Sequence, residues 1–323
     1  MLFLILSLTA CAPTTDERRF FAMDTVMSLK VWGGDQVCEK LEARARELDK
    51  KLSSADPDSE ICRLNQTHTA ALSDDVIRPV RRALDLSGEL EGFDPTVYPA
   101  VLEWGFISGD YHIPDETRLR ELTSLIDSSA VVTDGSTVTM PAGMMLDLGA
   151  IAKGYLADEC KKILADSGAS GAILNLGGTI LLYGKKPDGT PFKVGVADPD
   201  DPSGYFGKLS CSEGVVATSG GYERYFEQDG KRYIHILDPT TAEPVDNGIL
   251  SVTVCSEDGA LADALSTALF VMGADAASRL YRDSDTFEFI ILTDDDRLYI
   301  TEGVCGDFTL TDGHDYMLCK VTK

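Results

Sequence analysis

The sequence predicts an α+β fold of mixed sheets with packed helices, its lobes intertwined rather than separable. Three observations carry this. Strand-like and helix-like segments alternate without the regular βα period of a barrel or a doubly wound sheet. No repeat of fixed period and no long low-complexity linker marks a boundary. The chain has 323 residues, 44% of them hydrophobic, enough to bury a substantial core.

The elements follow in order. Residues 20–32 alternate as a first strand, closed by a Gly33-Gly34 turn. Residues 35–52 place Val37, Leu41, Ala45 and Leu48 on one helical face. A turn-rich stretch at 53–59 precedes a second helix at 74–90, starting at Ser73 or Asp74. Two prolines bracket Phe93-Asp94-Pro95-Thr96-Val97-Tyr98-Pro99 and exclude ordinary helix there. A short helix at 119–126 and a hairpin at 131–140 come next. Leu146-Asp147-Leu148 reads as a short strand that meets Gly149 and opens a helix running to Asp166, which Gly168 stops. Residues 172–184 read as strand, glycine bend and strand, and residues 192–197 as another strand. Residues 214–226 read as strand, a Thr218-Ser219-Gly220-Gly221 turn, then strand, and 232–237 lead into Asp238-Pro239. A core strand at 250–255, helices at 259–272 and 274–282, and closing strands at 287–292, 298–301 and 316–321 complete the chain.

Charge is one-sided: 53 acidic residues against 29 basic ones give a net charge of -24. This disfavours nucleic acid and anionic membrane surfaces as partners of the protein body. An anionic ligand would need local help from a metal, a lysine or helix ends. At the start, an apolar run too short to span a bilayer leads to Leu8-Thr9-Ala10-Cys11, which resembles the lipobox of bacterial lipoproteins. On this reading residues 1–11 are a lipoprotein signal-like segment, residues 12–19 a polar tether, and residues 20–323 one catalytic domain. Cys11 would then anchor the protein outside the cytoplasmic membrane; a buried first strand is the competing reading. The remaining seven cysteines are scattered and odd in number, a poor disulfide framework.

Three constellations could carry chemistry. Gly149 and the helix start beyond it offer unpaired N–H groups to an anion, and Lys153 adds a point charge, although a tight junction with a solvated lysine explains them equally well. Asp263 and Thr267 stand four residues apart on one helical face, where their oxygens could hold a hard cation; a capping aspartate and a back-bonded threonine is the alternative. His235 sits among strand-like apolar residues before Asp238-Pro239, a rigid mount for a general base or a structural histidine. Asp94 and Thr96 lie on the proline-stiffened loop and could hydrogen-bond a sugar or phosphate directly. Ser219 lacks a GxSxG elbow, which argues against a serine hydrolase.

Taken in order, Phe93-Asp94-Pro95-Thr96-Val97, Trp104-Gly105-Phe106, the stretch from Leu146 to Gly154, Leu174-Asn175-Leu176-Gly177-Gly178, Ala217-Thr218-Ser219-Gly220, His235-Ile236-Leu237-Asp238-Pro239 and Ala262-Asp263-Ala264-Leu265-Ser266-Thr267-Ala268 resemble the ApbE-type flavin transferases, the FAD:protein FMN transferases. Each motif is weak alone; seven in the family's order, from Phe93 to Ala268 within a resemblance that covers roughly residues 20 to 305, are specific.

The resemblance implies an ApbE-like fold and Mg²⁺-dependent transfer of FMN from the substrate FAD to a threonine hydroxyl of a target flavoprotein, releasing AMP. It implies an exported, lipid-anchored protein whose acceptor is a flavin-bearing protein such as a subunit of a membrane redox pump. The implied metal ligands are the Ala150 carbonyl, the Asp263 carboxylate and the Thr267 hydroxyl. Met23, Asp94, Thr96, Asp147, Lys153 and the backbone around Leu237 are the implied FAD contacts, and His235 the implied base. Three positions depart from the family pattern: Asp24 and Ala242 stand at usual glycines, and Ala55 where many members carry tyrosine. Ala242 predicts a different backbone angle in its turn. Ala55 predicts a roomier flavin pocket, favouring flavin exchange or FAD hydrolysis to FMN and AMP. A Mg²⁺-dependent FAD pyrophosphatase and a non-catalytic periplasmic FAD-binding lipoprotein are the competing functions.

Overall fold

The computed structural model describes residues 14–34, 36–201 and 203–323. The signal-like segment and Cys11 lie outside the described residues. Strand β1 (Thr15–Ala22) and β2 (Thr25–Trp32) form a full-length antiparallel hairpin, Thr15 opposite Trp32 and Ala22 opposite Thr25. This corrects the expected tether: Thr15, Asp16, Glu17, Arg18 and Arg19 belong to a strand. Their polarity reflects an edge position, where charge discourages pairing with another chain.

Helix α1 (Val37–Leu52) buries Val37, Leu41, Ala45 and Leu48 as the periodicity predicts. Helix α2 (Glu60–Thr67) is capped by the Ser59 hydroxyl. Strand β3 (Thr69–Ala71) precedes α3 (Asp74–Glu89), whose N-cap is Ser73. Helix α4 (Tyr98–Glu103) carries the second proline, Pro99, in its first turn, where it is tolerated because its missing N–H would be unpaired anyway. After α5 (Glu116–Thr123), β4 (Val132–Asp134) and β5 (Thr137–Thr139) form the expected hairpin, with β3 pairing β5. Leu146-Asp147-Leu148 is not a strand, contrary to expectation. It is a connection held beside the proline loop by the Asp147 N–H donating to the Pro95 carbonyl.

Helix α6 (Ala152–Asp166) ends before Gly168, which takes a φ of 68°. Strands β6 (Gly171–Asn175), β7 (Thr179–Gly184) and β8 (Phe192–Ala197) follow. Strand β9 (Tyr205–Cys211) had no signal in the sequence, since its glycine, lysine and serine interrupt any apolar run. In β10 (Gly214–Gly220) Thr218 and Ser219 are strand residues pairing Thr253 and Val252, which corrects the expected glycine turn at Thr218. Then come β11 (Tyr225–Gln228), β12 (Lys231–Ile234), β13 (Leu237–Asp238), β14 (Glu243–Pro244), β15 (Ile249–Ser256), α7 (Gly259–Met272), α8 (Ala274–Arg282), β16 (Phe287–Thr293), β17 (Arg297–Thr301), α9 (Glu302–Cys305), β18 (Phe308–Leu310) and β19 (Met317–Val321).

A nine-stranded sheet in the order β1-β2-β6-β7-β10-β15-β16-β17-β19 organises the molecule. Helices α1, α3, α6 and α7 supply the core on one face, where Leu41, Val80, Leu156 and Leu269 meet Leu29, Leu174, Val254 and Phe289. On the other face, the three-stranded sheet β18-β9-β8 buries Val196, Phe206 and Leu209 against Ile290, Leu292 and Ile300. Strand β16 thus buries both faces, which is why its sequence Phe-Glu-Phe-Ile-Ile-Leu-Thr barely alternates. A smaller cluster joins Trp104, Phe106, Phe226, Leu237 and Ala242. The helices, the mixed sheets and their interleaving in the chain bear out the α+β expectation.

Candidate active site

One end of the large sheet gathers residues from most of the chain. At that end lie Thr25 opening β2, Asn175 closing β6, Thr179 opening β7, and Ser219 and Gly220 closing β10. Met23 and Asp24 form the two-residue turn between β1 and β2, with φ of 50° and 57°. Both angles are positive, as a turn matching the strand twist requires, so Asp24 keeps the backbone shape a glycine would give. Gly177 packs against Thr25 so closely that any Cβ would collide with that side chain. This contact seats Met23 beside the β6–β7 connection.

Helices α6 and α7 meet at the same end and cap one another. The Gly154 N–H, in the first turn of α6 where no carbonyl of its own helix is available, donates to Asp263 Oδ2 at 2.9 Å. In return, Asp158 of α6 accepts from the Gly259 and Ala260 N–H groups that open α7, at 2.8 and 3.0 Å. Burial pushes the Asp158 carboxyl upward, although those two N–H bonds oppose the shift. The crossing needs glycine on both sides, because a Cβ on Gly154 would strike the Gly259 carbonyl and one on Gly259 would strike the Gly154 carbonyl.

Asp263 is 6% exposed. Its Oδ1 also accepts from the Thr179 hydroxyl at 3.1 Å. One turn on, Thr267 Oγ1 lies 3.4 Å from Ser219 Oγ, which in turn is 2.7 Å from Ser266 Oγ. Asp263 and Thr267 therefore present hard oxygens on one face, as their spacing predicts. Among the described residues no three His, Cys, Asp or Glu side chains converge as a metal-binding group, so a cation here would draw on hydroxyl, carbonyl and ligand oxygens as well. Ala150 is half-buried in the connection just before α6.

His235 follows β12 directly. Its backbone N–H and its ring Nδ1 both approach the Arg224 carbonyl, at 3.0 and 3.1 Å. A carbonyl only accepts, so Nδ1 carries the proton and Nε2 keeps its lone pair. Burial lowers the His235 pKa to about 4, helped by the Arg224 guanidinium and the Lys153 ammonium. The ring is thus uncharged at neutral pH. The Lys153 ammonium, which donates to the Gly149 carbonyl at 3.4 Å, also acts on Glu223. Burial raises the Glu223 carboxyl, Lys153 opposes that rise, and Asp263 adds to it. Lys153, Glu223, His235 and Asp263 therefore share one field, and Glu223 and Arg224 are members the sequence did not single out.

The other expected contacts divide. Asp147 accepts from the Ser54 hydroxyl at 2.7 Å and from the Gly149 N–H at 3.1 Å, so it ties the Ala55 turn to the start of α6. Asp94 accepts from the Thr96 N–H and hydroxyl and from the Ser128 N–H, fastening its own loop. Thr96 is fully buried, donating to Asp94 and accepting from the Asp127 N–H, so its side chain is engaged within the loop. The Leu237 side chain is buried with Trp104, and its backbone pairs with Pro244 in the short β13–β14 ladder. Ala242 has a φ of 60° and is fully buried. Its turn keeps the left-handed angle that the alanine was expected to change, held by the Trp104 Nε1–H donating to the Ala242 carbonyl at 2.8 Å.

A model of the ApbE family matches residues 23–291. The chain belongs to the ApbE family. Among ApbE relatives, the FAD:protein FMN transferase of Vibrio cholerae is 32% identical over 266 residues, which is 80% of this chain and 79% of that protein. The FAD:protein FMN transferase of Klebsiella pneumoniae is 32% identical over 283 residues, covering 84% and 87%. The crystal structure of the ApbE protein from Thermotoga maritima superposes with a TM-score of 0.83 at 29% identity, over 90% of this chain and 98% of that one. The flavin transferase ApbE from Vibrio cholerae gives a TM-score of 0.79 at 27% identity with the same coverage. These ApbE structures share the mixed sheet and packed helices described above.

Proposed function

We propose that this chain transfers FMN from FAD to a threonine hydroxyl of an acceptor flavoprotein and releases AMP. The observation that carries the reading is the joining, in an ApbE-family chain, of a neutral His235 with a free Nε2 to Lys153 and the Asp263–Thr267 oxygen pair. In the reaction, the threonine oxygen bonds to the FMN phosphorus of the pyrophosphate as the bond to the AMP oxygen breaks. His235 Nε2 takes the hydroxyl proton, and AMP leaves with the electron pair.

The donor set suits magnesium, which proteins hold through one or two carboxylates together with substrate phosphates rather than in an all-protein cage. Asp263, Thr267 and the Ala150 carbonyl would hold it. When bound, the ion neutralises charge on the transferring phosphoryl group. Lys153 supplies the remaining positive charge in a strongly acidic protein, and Met23, Asp147 and the backbone at Leu237 and the Asp94 loop position the nucleotide.

Incubation with FAD, Mg²⁺ and an acceptor domain, followed by intact mass, tests the reading. An FMN-sized addition to a threonine supports it; bound, unchanged FAD overturns it. The exposed Ala55, on the turn that Ser54 ties to Asp147, favours a second activity, FAD hydrolysis. That activity is read as FMN and AMP formed without acceptor. We further propose export and a lipid anchor at Cys11, which would set the enzyme beside flavin-bearing subunits of membrane redox pumps. No helix among the described residues is long and apolar enough to cross a membrane. Detergent partitioning of the full-length protein and of Cys11→Ser tests the anchor, and an aqueous wild type would sink it.

A further inference from the structure

Two hydroxyls behind the metal-ligand pair have no role in the reaction as written. Thr179 is fully buried at the start of β7, and its hydroxyl donates to Asp263 Oδ1 at 3.1 Å. Ser219, near the end of β10, lies 3.4 Å from Thr267 Oγ1 and 2.7 Å from Ser266 Oγ, while Ser266 donates to the Asp263 carbonyl at 2.8 Å. Both strands are central in the large sheet and pair with each other, with Ala217 opposite Thr179. The sheet therefore presents two fixed hydroxyls to one face of α7, one against each proposed ligand.

We infer that Thr179 and Ser219 are positioning residues that set the orientation of Asp263 and Thr267 for a divalent cation. The inference rests on the proposed metal site and goes beyond it by naming what aims its ligands. A carboxylate on a helix has a freely turning terminal torsion. Here the Gly154 N–H holds Oδ2 and the Thr179 hydroxyl holds Oδ1, so both oxygens are fixed and each retains a lone pair for another partner. Thr179 has no other hydrogen-bond partner for its hydroxyl among the described residues. In a fully buried position, that makes Asp263 the reason for a polar side chain. The Ser219 hydroxyl likewise stands where it can restrict the Thr267 rotamer. Groups that orient metal ligands in this way typically contribute 10- to 100-fold to metal affinity or activity.

The test uses Thr179→Val, which keeps the branched shape and removes the hydroxyl, together with Thr179→Ser and Ser219→Ala. Mn²⁺ binding is followed by loss of the free-ion paramagnetic resonance signal, with FAD bound and no acceptor present. The Mg²⁺ dependence of AMP release is measured alongside, with Asp263→Asn as reference. Thr179→Val and Ser219→Ala are expected to weaken Mn²⁺ binding about tenfold and raise the half-saturating Mg²⁺ similarly. At saturating Mg²⁺ the turnover number and the KM for FAD should stay within about twofold of wild type, and Thr179→Ser should restore tight binding. Unchanged Mn²⁺ affinity in Thr179→Val and Ser219→Ala would overturn the inference, as would a lower turnover number at saturating metal. Failure of Thr179→Ser to restore binding would do the same. If Asp263→Asn also binds Mn²⁺ as wild type does, the metal site itself is wrong, which separates the two failures. Circular dichroism in a chelator checks that each variant is folded; should Thr179→Val unfold, Thr179→Ala and Ser219→Ala decide the matter by the same readouts.

Discussion

His235 shows how a single side chain is prepared before any ligand arrives. The Arg224 carbonyl fixes its tautomer, and burial with two nearby cations keeps it uncharged. Loss of FMN transfer in His235→Ala should reach at least a hundredfold, with FAD still bound, as judged by quenching of flavin fluorescence. With His235 in the proposed role of base, the acid limb of kcat/KM should titrate near pH 4 rather than near 6.5, because burial delays protonation at Nε2. The same shift has a stability consequence. An unfolded His235 gains its proton near pH 6.5 and the folded one near 4, so the stability contributed above pH 6.5 is lost progressively as pH falls between those values. Ala242 makes a different point. Its φ of 60° costs about 1–2 kcal/mol for a residue with a Cβ, while its buried methyl returns about 0.8 kcal/mol. Ala242→Gly should therefore change unfolding free energy by less than about 1 kcal/mol, whereas Ala242→Val should cost about 2 kcal/mol or more by denaturant titration.

Among the elements, the α6–α7 crossing shows how far the sequence could be read. The spacing of Asp263 and Thr267 was legible because helical periodicity is local, and the helix bounds at 259–272 were set by glycine and composition. Which groups meet them was not legible. Gly154 lies more than a hundred residues upstream, and nothing local marks its N–H as the partner of Asp263. The burial of Thr96 was hidden for the same reason, since its loop closes on Asp127 and Ser128 through contacts that only the tertiary fold creates. The first half of β1 is hidden in the sequence because it is a polar edge, and β9 because Gly207, Lys208 and Ser210 break up its apolar residues. Gly154→Ala is favourable for an isolated helix, yet here it must part α6 from α7. We expect a loss of about 1–3 kcal/mol together with weaker Mg²⁺ activation; an unchanged melting temperature would show that the helices separate freely.

For the whole molecule, the net charge of -24 sets both solubility and strain. Like charges over the surface repel, and salt at about 0.15 M screens them beyond roughly 8 Å. The melting temperature should rise as sodium chloride is added from low ionic strength. A fall would mean that surface ion pairs such as Arg18–Glu42 and Arg118–Glu103 outweigh the repulsion. The large sheet also has two unlike ends. Everything proposed for chemistry gathers where β6 finishes and β7 begins, while Gly171 and Gly184 pair at the far end and lead into an exposed turn at residues 187–190. That turn gives the protein a handle remote from its working end. An epitope or affinity peptide spliced between Asp188 and Gly189 should leave flavin transfer intact, so the enzyme could be tethered to a bead or followed by antibody without modifying either terminus.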